Sequence, residues 1–162
     1  MRSSCTVSTV YSSIILKNID IPSTLVLRRS TLDELKSIVE KEYPLEICGV
    51  LAGKIVDKRA FVEEYKILEN ILESSTRFWF DERKWMETVC EFKRKGLEYI
   101  GLFHSHPDGS VLPSLADRHR MMECPGEIWL ILAYSPKKGF DICAWVISDY
   151  ISSFSKVNLV IT

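Results

Sequence analysis

From Ser23 onward, short apolar runs alternate with amphipathic stretches of helical period. This alternation restricts the possible folds more than any other feature of the chain. Leu25-Val26-Leu27 reads as a short strand. Thr31-x-x-Glu34 has the form of a capping box, with Leu32, Leu35, Ile38 and Val39 following at helical spacing and Pro44 ending the helix. Ile47 to Ala52, closed by Gly53, suits a buried strand, and Phe61 to Leu68 a less buried one. A second helix is predicted from about Asp81 to Lys95, with Trp85, Val89 and Phe92 on one face and a stop at Gly96. Glu98 to Phe103 reads as a strand, then a loop punctuated by Pro107, Gly109 and Pro113, then a helix from Ser114 to Met122. Glu127 to Ala133 and Phe140 to Ile147 form a hairpin around the turn at Pro136 to Gly139. The order β-α-β-β-α-β-α-β-β predicts an α/β domain with a mixed sheet and helices against it. At 162 residues there is room for one such core and little more. Residues 1 to about 22, rich in Ser and Thr and without helical period, read as a loose arm or an added edge strand.

Composition excludes several classes of function. Lys and Arg number 21 against 22 Asp and Glu, a net charge of −1, which lacks the basic excess that neutralising phosphates requires. The strongest apolar run, Ile128 to Tyr134, is far too short to cross a bilayer, and the N-terminus makes a poor signal peptide. Five cysteines (Cys5, Cys48, Cys90, Cys124, Cys143) are scattered, with no C-x-x-C pair. The simplest reading is reduced thiols in a soluble cytoplasmic protein, disulfides being open to a hyperthermophile's protein.

Chemistry concentrates at His104-Ser105-His106, where two of the three histidines stand two apart at the end of a strand. On an extended backbone such residues share a face, so both imidazoles can converge on one ion. Asp117, eleven residues after His106, falls in the first turn of a predicted helix. Two His and a carboxylate leave a fourth tetrahedral position open, the arrangement of a catalytic zinc. Each part has a plainer reading: H-x-H alone serves as loop-edge residues, and Ser114-x-x-Asp117 alone as a helix cap. His119 follows too soon to share Asp117's face and reads as a surface residue or an outer neighbour of the site.

Taken together, H-S-H-P-x6-S-x-x-D resembles the zinc signature of the JAMM (MPN-plus) metalloprotease family. Upstream, Pro44-Leu45-Glu46-Ile47-Cys48-Gly49-Val50-Leu51-Ala52-Gly53 resembles that family's P-x-E-x-C-G-x-L-x-G context, and Asn70, Phe78 and Phe80-Asp81 loosely echo a further motif of prokaryotic members. The resemblance spans about residues 25 to 148. It implies a mixed, curved β-sheet flanked by helices, in a cytidine-deaminase-like layered architecture. It divides the chain into an arm at 1–22, a JAMM/MPN catalytic domain at 23–150, and a tail or short strand at 151–162. His104, His106 and Asp117 would bind one catalytic zinc, Glu46 would act as general base, and Ser114 would hydrogen-bond the oxyanion.

The implied reaction is hydrolysis of the peptide or isopeptide bond after the C-terminal glycine of ubiquitin or a ubiquitin-like modifier. The partners are then such conjugates, with a link to the proteasome open, and neither nucleic acid nor membrane. Alternatives are a protease trimming the C-terminus of a ubiquitin-like sulfur carrier, a non-catalytic MPN scaffold, or a zinc hydrolase of small substrates. The zinc nucleoside deaminase signature H-x-E…P-C-x-x-C is missing. Cys48 reads as a packing residue, Ser105 as a local hydrogen-bonding residue, and Trp79, Trp85, Trp129 and Trp145 as core or edge packing.

Overall fold

The computed structural model describes residues 21–147 and 154–162. The expectation of an arm or edge strand at 1–22 therefore lies, for residues 1–20, outside the described residues. Among the described residues are seven strands and three helices: β1 (Thr24–Leu27), α1 (Arg29–Glu42), β2 (Cys48–Val56), β3 (Arg59–Leu68), α2 (Glu82–Arg94), β4 (Glu98–His106), α3 (Leu115–Glu123), β5 (Ile128–Ser135), β6 (Gly139–Ile147) and β7 (Phe154–Ile161).

β2 pairs antiparallel with β3 on one side and β4 on the other. β4 pairs parallel with β5, β5 antiparallel with β6, and β6 antiparallel with β7. β1 then lies parallel to both β7 and β3, so the curved mixed sheet closes into a barrel in the order β1-β3-β2-β4-β5-β6-β7. The mixed α/β architecture agrees with the sequence. Closure depends on β7, which the sequence leaves between a tail and a short strand and which forms an eight-residue strand.

Side chains of successive strand residues point to opposite faces, and this sorts the core into two apolar layers. Val50, Leu102, Trp129 and Ile131 face Val89 and Phe92 of α2 and Met121 of α3. Their neighbours Leu51, Phe103, Leu130 and Leu132 face the other way, onto Leu25, Leu27 and the α1 residues Leu32, Leu35 and Val39. His104, two residues on from Leu102, therefore lies on the α2 and α3 side.

Three local readings shift. α1 begins at Arg29, and the Arg28 cap position makes no side-chain hydrogen bond. Thr31 sits inside the first turn rather than capping it. The Arg29 N–H donates instead to the Thr162 carbonyl at the end of β7 (2.7 Å), an acceptor supplied by the tertiary fold. β2 runs past Gly53 to Val56 with a register shift at Ala52/Gly53. A Cβ on Gly53 would sit 1.8 Å from the Phe61 carbonyl oxygen, so the glycine permits close backbone approach rather than ending the strand. β4 continues through His106, because β5 holds it extended as far as the His106↔Ala133 pair. Cys48, Cys124 and Cys143 are free thiols, whereas Cys90 is disulfide-bonded, which departs from five reduced cysteines. Among the described residues no helix is long and apolar enough to cross a membrane.

Candidate metal centre

His104 and His106 project from the same face of β4 and are both buried. Asp117 reaches them from the first turn of α3, where it closes a reciprocal cap. The Ser114 Oγ accepts from the Asp117 N–H (3.1 Å), and Asp117 Oδ2 accepts from the Ser114 N–H (2.7 Å). The cap aims the carboxylate inward. Asp117 Oδ2 lies 3.2 Å from His106 Nε2 and 3.3 Å from His104 Nε2, and the two Nε2 atoms are 2.9 Å apart.

This donor set suits a cation. Three potential ligand atoms, buried together, converge on one point. Ligands of a tetrahedral zinc at roughly 2.0–2.1 Å stand about 3.3 Å from one another, close to the spacing seen here. The His106 Nδ1–H donates to the Ser110 carbonyl (2.8 Å), a tautomer that leaves the Nε2 lone pair facing the cluster. Burial pulls the His104 pKa down and favours its neutral, ligating form. Its ring stacks on Phe78 (4.4 Å between centroids) and meets Trp129 edge-on. Burial opposes the charge on Asp117, but its contacts with the two imidazoles and with Ser114 outweigh it and hold the carboxyl well below its ordinary range.

Glu46 precedes β2. The Cys48↔His104 pair sets the register. Beyond it, the Ile47 N–H donates to Ser105 Oγ and the Ser105 N–H donates to the Ile47 carbonyl, both at 2.9 Å. Continuing the line brings Glu46 level with His106. Glu46 is 5% exposed, and burial pushes its carboxyl pKa up to about 7, with His106 opposing and Asp117 and Asp108 adding. It can therefore exchange a proton near neutrality.

The sequence missed how Glu46 is held. Asn70 donates to the Glu46 and Arg77 carbonyls, while its Oδ1 accepts from the Leu72 and Trp79 N–H groups. The loose motif echo singled out Asn70, but its partners appear only in three dimensions. Ser105, read as a local hydrogen-bonding residue, fastens Glu46's segment to β4. His119 is exposed on α3, away from the ligands. Cys48 is buried with its thiol pushed up to about 12 by burial, which suits packing and not nucleophilic attack. Trp129 and Trp145 are buried in the core. Trp79, Trp85 and Trp129 line a cavity of about 280 Å³ together with Tyr99, Arg120 and Glu127; none of the three ligands lines it.

Fold and site together define a metallopeptidase of the JAMM type. The family described as prokaryotic homologs of the JAB domain matches residues 28–148, and the chain belongs to that family. It is 31% identical over 139 residues to a protein named desampylase from Pyrococcus furiosus, covering 86% of this chain and 91% of that one. It is 32% identical over 94 residues to a probable TtuB-protein conjugate cleaving protease from Thermus thermophilus, covering 57% and 60%. The fold is similar to that of a JAB1/MPN domain protein from Archaeoglobus fulgidus (TM-score 0.55, 18% identity, 86% and 98% covered).

Proposed function

We propose that this protein is a zinc-dependent protease that hydrolyses the peptide or isopeptide bond after the C-terminal glycine of a ubiquitin-like modifier. The observation that carries this reading is the buried His104–His106–Asp117 cluster with the buried Glu46 held alongside. The relatives' names, one of them specifying a protein conjugate, support a conjugated modifier as substrate.

In this reading His104 Nε2, His106 Nε2 and Asp117 hold one zinc ion. Zinc supplies the Lewis acidity that makes water a nucleophile near neutral pH. Glu46 takes a proton from the attacking water and passes it to the amine leaving group as the C–N bond breaks. The Ser114 hydroxyl donates to the developing oxyanion. Its Oγ already accepts from the Asp117 N–H, which leaves the O–H proton available. The retained ligand set argues against a purely scaffolding role.

Intact-mass analysis tests the reading with two substrates: a ubiquitin-like protein on a lysine, and the same protein with a short C-terminal extension. Cleavage after the terminal glycine of either supports the proposal and tells which bond is preferred. Intact substrates in the presence of the zinc-loaded protein count against it.

A further inference from the structure

We propose that Trp145 and Lys138, one buried in the core and one exposed in a turn, are positioning residues of the metal centre. They act through the loop of residues 107–113 that joins β4 to α3. The proposal rests on the zinc reading for its consequence, but its geometry stands without it.

The loop carries the Ser110 carbonyl, which accepts the His106 Nδ1–H and thereby selects the tautomer whose Nε2 faces the cluster. A carbonyl in a loop does this only if the loop is held, and two donors from the β5–β6 hairpin hold it on either side of Ser110. The Trp145 Nε1–H donates to the Val111 carbonyl (2.8 Å). Lys138 Nζ donates to the Asp108 carbonyl (2.8 Å). Both donors are anchored in the hairpin. Trp145 is 8% exposed and pairs with Trp129 in the barrel. Lys138 sits on a turn whose own N–H is tied to Ser135 Oγ (3.1 Å). The alkyl stem of Lys138 also lies on bare backbone at Gly109, where φ is +76° and a Cβ would meet Lys138 Cδ at 2.6 Å. Within the loop, the Ser110 N–H donates to Asp108 Oδ1 (2.8 Å), so the residue whose carbonyl Lys138 holds is itself bonded to Ser110 through its side chain. Trp145 and Lys138 thus help aim the His106 ring through hydrogen bonds to neighbouring loop carbonyls.

The test compares wild type with Trp145→Phe, which keeps an aromatic side chain but loses the N–H together with part of the indole, with Lys138→Met, which keeps most of the stem and loses the ammonium, and with the double variant. Lys138→Arg retains a donor. Nitrogen-15 shifts of the His106 ring report the tautomer in metal-free protein, and competition with a chelator reports zinc affinity. Loss of an outer partner of a metal ligand typically costs about 10–100-fold in affinity. The double variant should lose that much, mix the His106 tautomers, and be partly restored when Lys138→Arg replaces Lys138→Met. A lower melting temperature with wild-type tautomer and zinc affinity would overturn the proposal and leave a structural role. Should Trp145→Phe fail to fold, Lys138→Met alone decides by the same two readouts. If wild type itself binds no zinc, the zinc reading fails, while the metal-free tautomer still decides the positioning claim.

Discussion

In the proposed mechanism Ser114 uses one hydroxyl for two tasks. Its oxygen caps α3 through the Asp117 N–H, and its proton remains free for a substrate oxyanion. Ser114→Ala removes both. We expect turnover to fall by about 10²–10³, as when one oxyanion donor is lost, and stability by about 1 kcal/mol, as when a cap is lost. Steady-state kinetics and urea unfolding separate the two effects; a loss of stability with full turnover would confine Ser114 to capping. At this scale much of the site was legible, because the chemistry of His104, His106 and Asp117 is carried by residue type and short spacing. The duties of Asn70 and Trp145 were not. An asparagine amide or an indole N–H can bond to any carbonyl, and only the fold decides that Asn70 meets Glu46 and Trp145 meets Val111.

Between elements, the junction that matters most joins the segment of Glu46 and β2 to β4. Ser105 Oγ accepts from the Ile47 N–H beside the β2–β4 ladder. Ser105→Ala leaves that N–H buried and unpaired, at a cost of about 1–3 kcal/mol. It should also lower turnover by loosening Glu46 while zinc stays bound. Urea unfolding together with zinc content checks this, and full turnover in the variant would refute a positioning role. Element positions followed from periodicity and from local stops such as Gly96 and Pro44. Element ends were misread where a partner strand overrides local chemistry. β5 carries β4 through both histidines, and the Thr162 carbonyl replaces the side-chain cap expected of Thr31. β7 illustrates the same limit, since its place depends on pairing with β1 and β6.

For the whole molecule, the buried carboxyl of Glu127, just before β5, contributes to how stability varies with pH. Glu127 is buried, accepts from the Tyr99 hydroxyl (2.6 Å), and has its pKa pushed from 4.5 to about 7, chiefly by burial. The folded chain therefore keeps a proton that the unfolded chain releases. This favours the fold below about 4.5, and the advantage is lost as pH rises to about 7 and is constant above. At about 1.4 kcal/mol per pH unit of that gap, the loss is roughly 3 kcal/mol. Glu127→Gln removes the titration. Because Glu46 titrates in the same range, the informative quantity is the difference between the stabilities of wild type and variant. From about pH 4.5 to about pH 7 that difference should shift in favour of the variant by roughly 3 kcal/mol; a constant difference would show that Glu127 does not titrate as argued.

The central claim is that His104, His106 and Asp117 hold a zinc ion and that Glu46 moves the proton beside it. It is tested most directly by measuring zinc content and turnover together in wild type and Glu46→Gln. One zinc per chain is expected in both proteins, with a fall in turnover of about 10²–10⁴ in the variant, the usual contribution of a general base. Full activity in Glu46→Gln, or an active wild type that holds no metal, would contradict it.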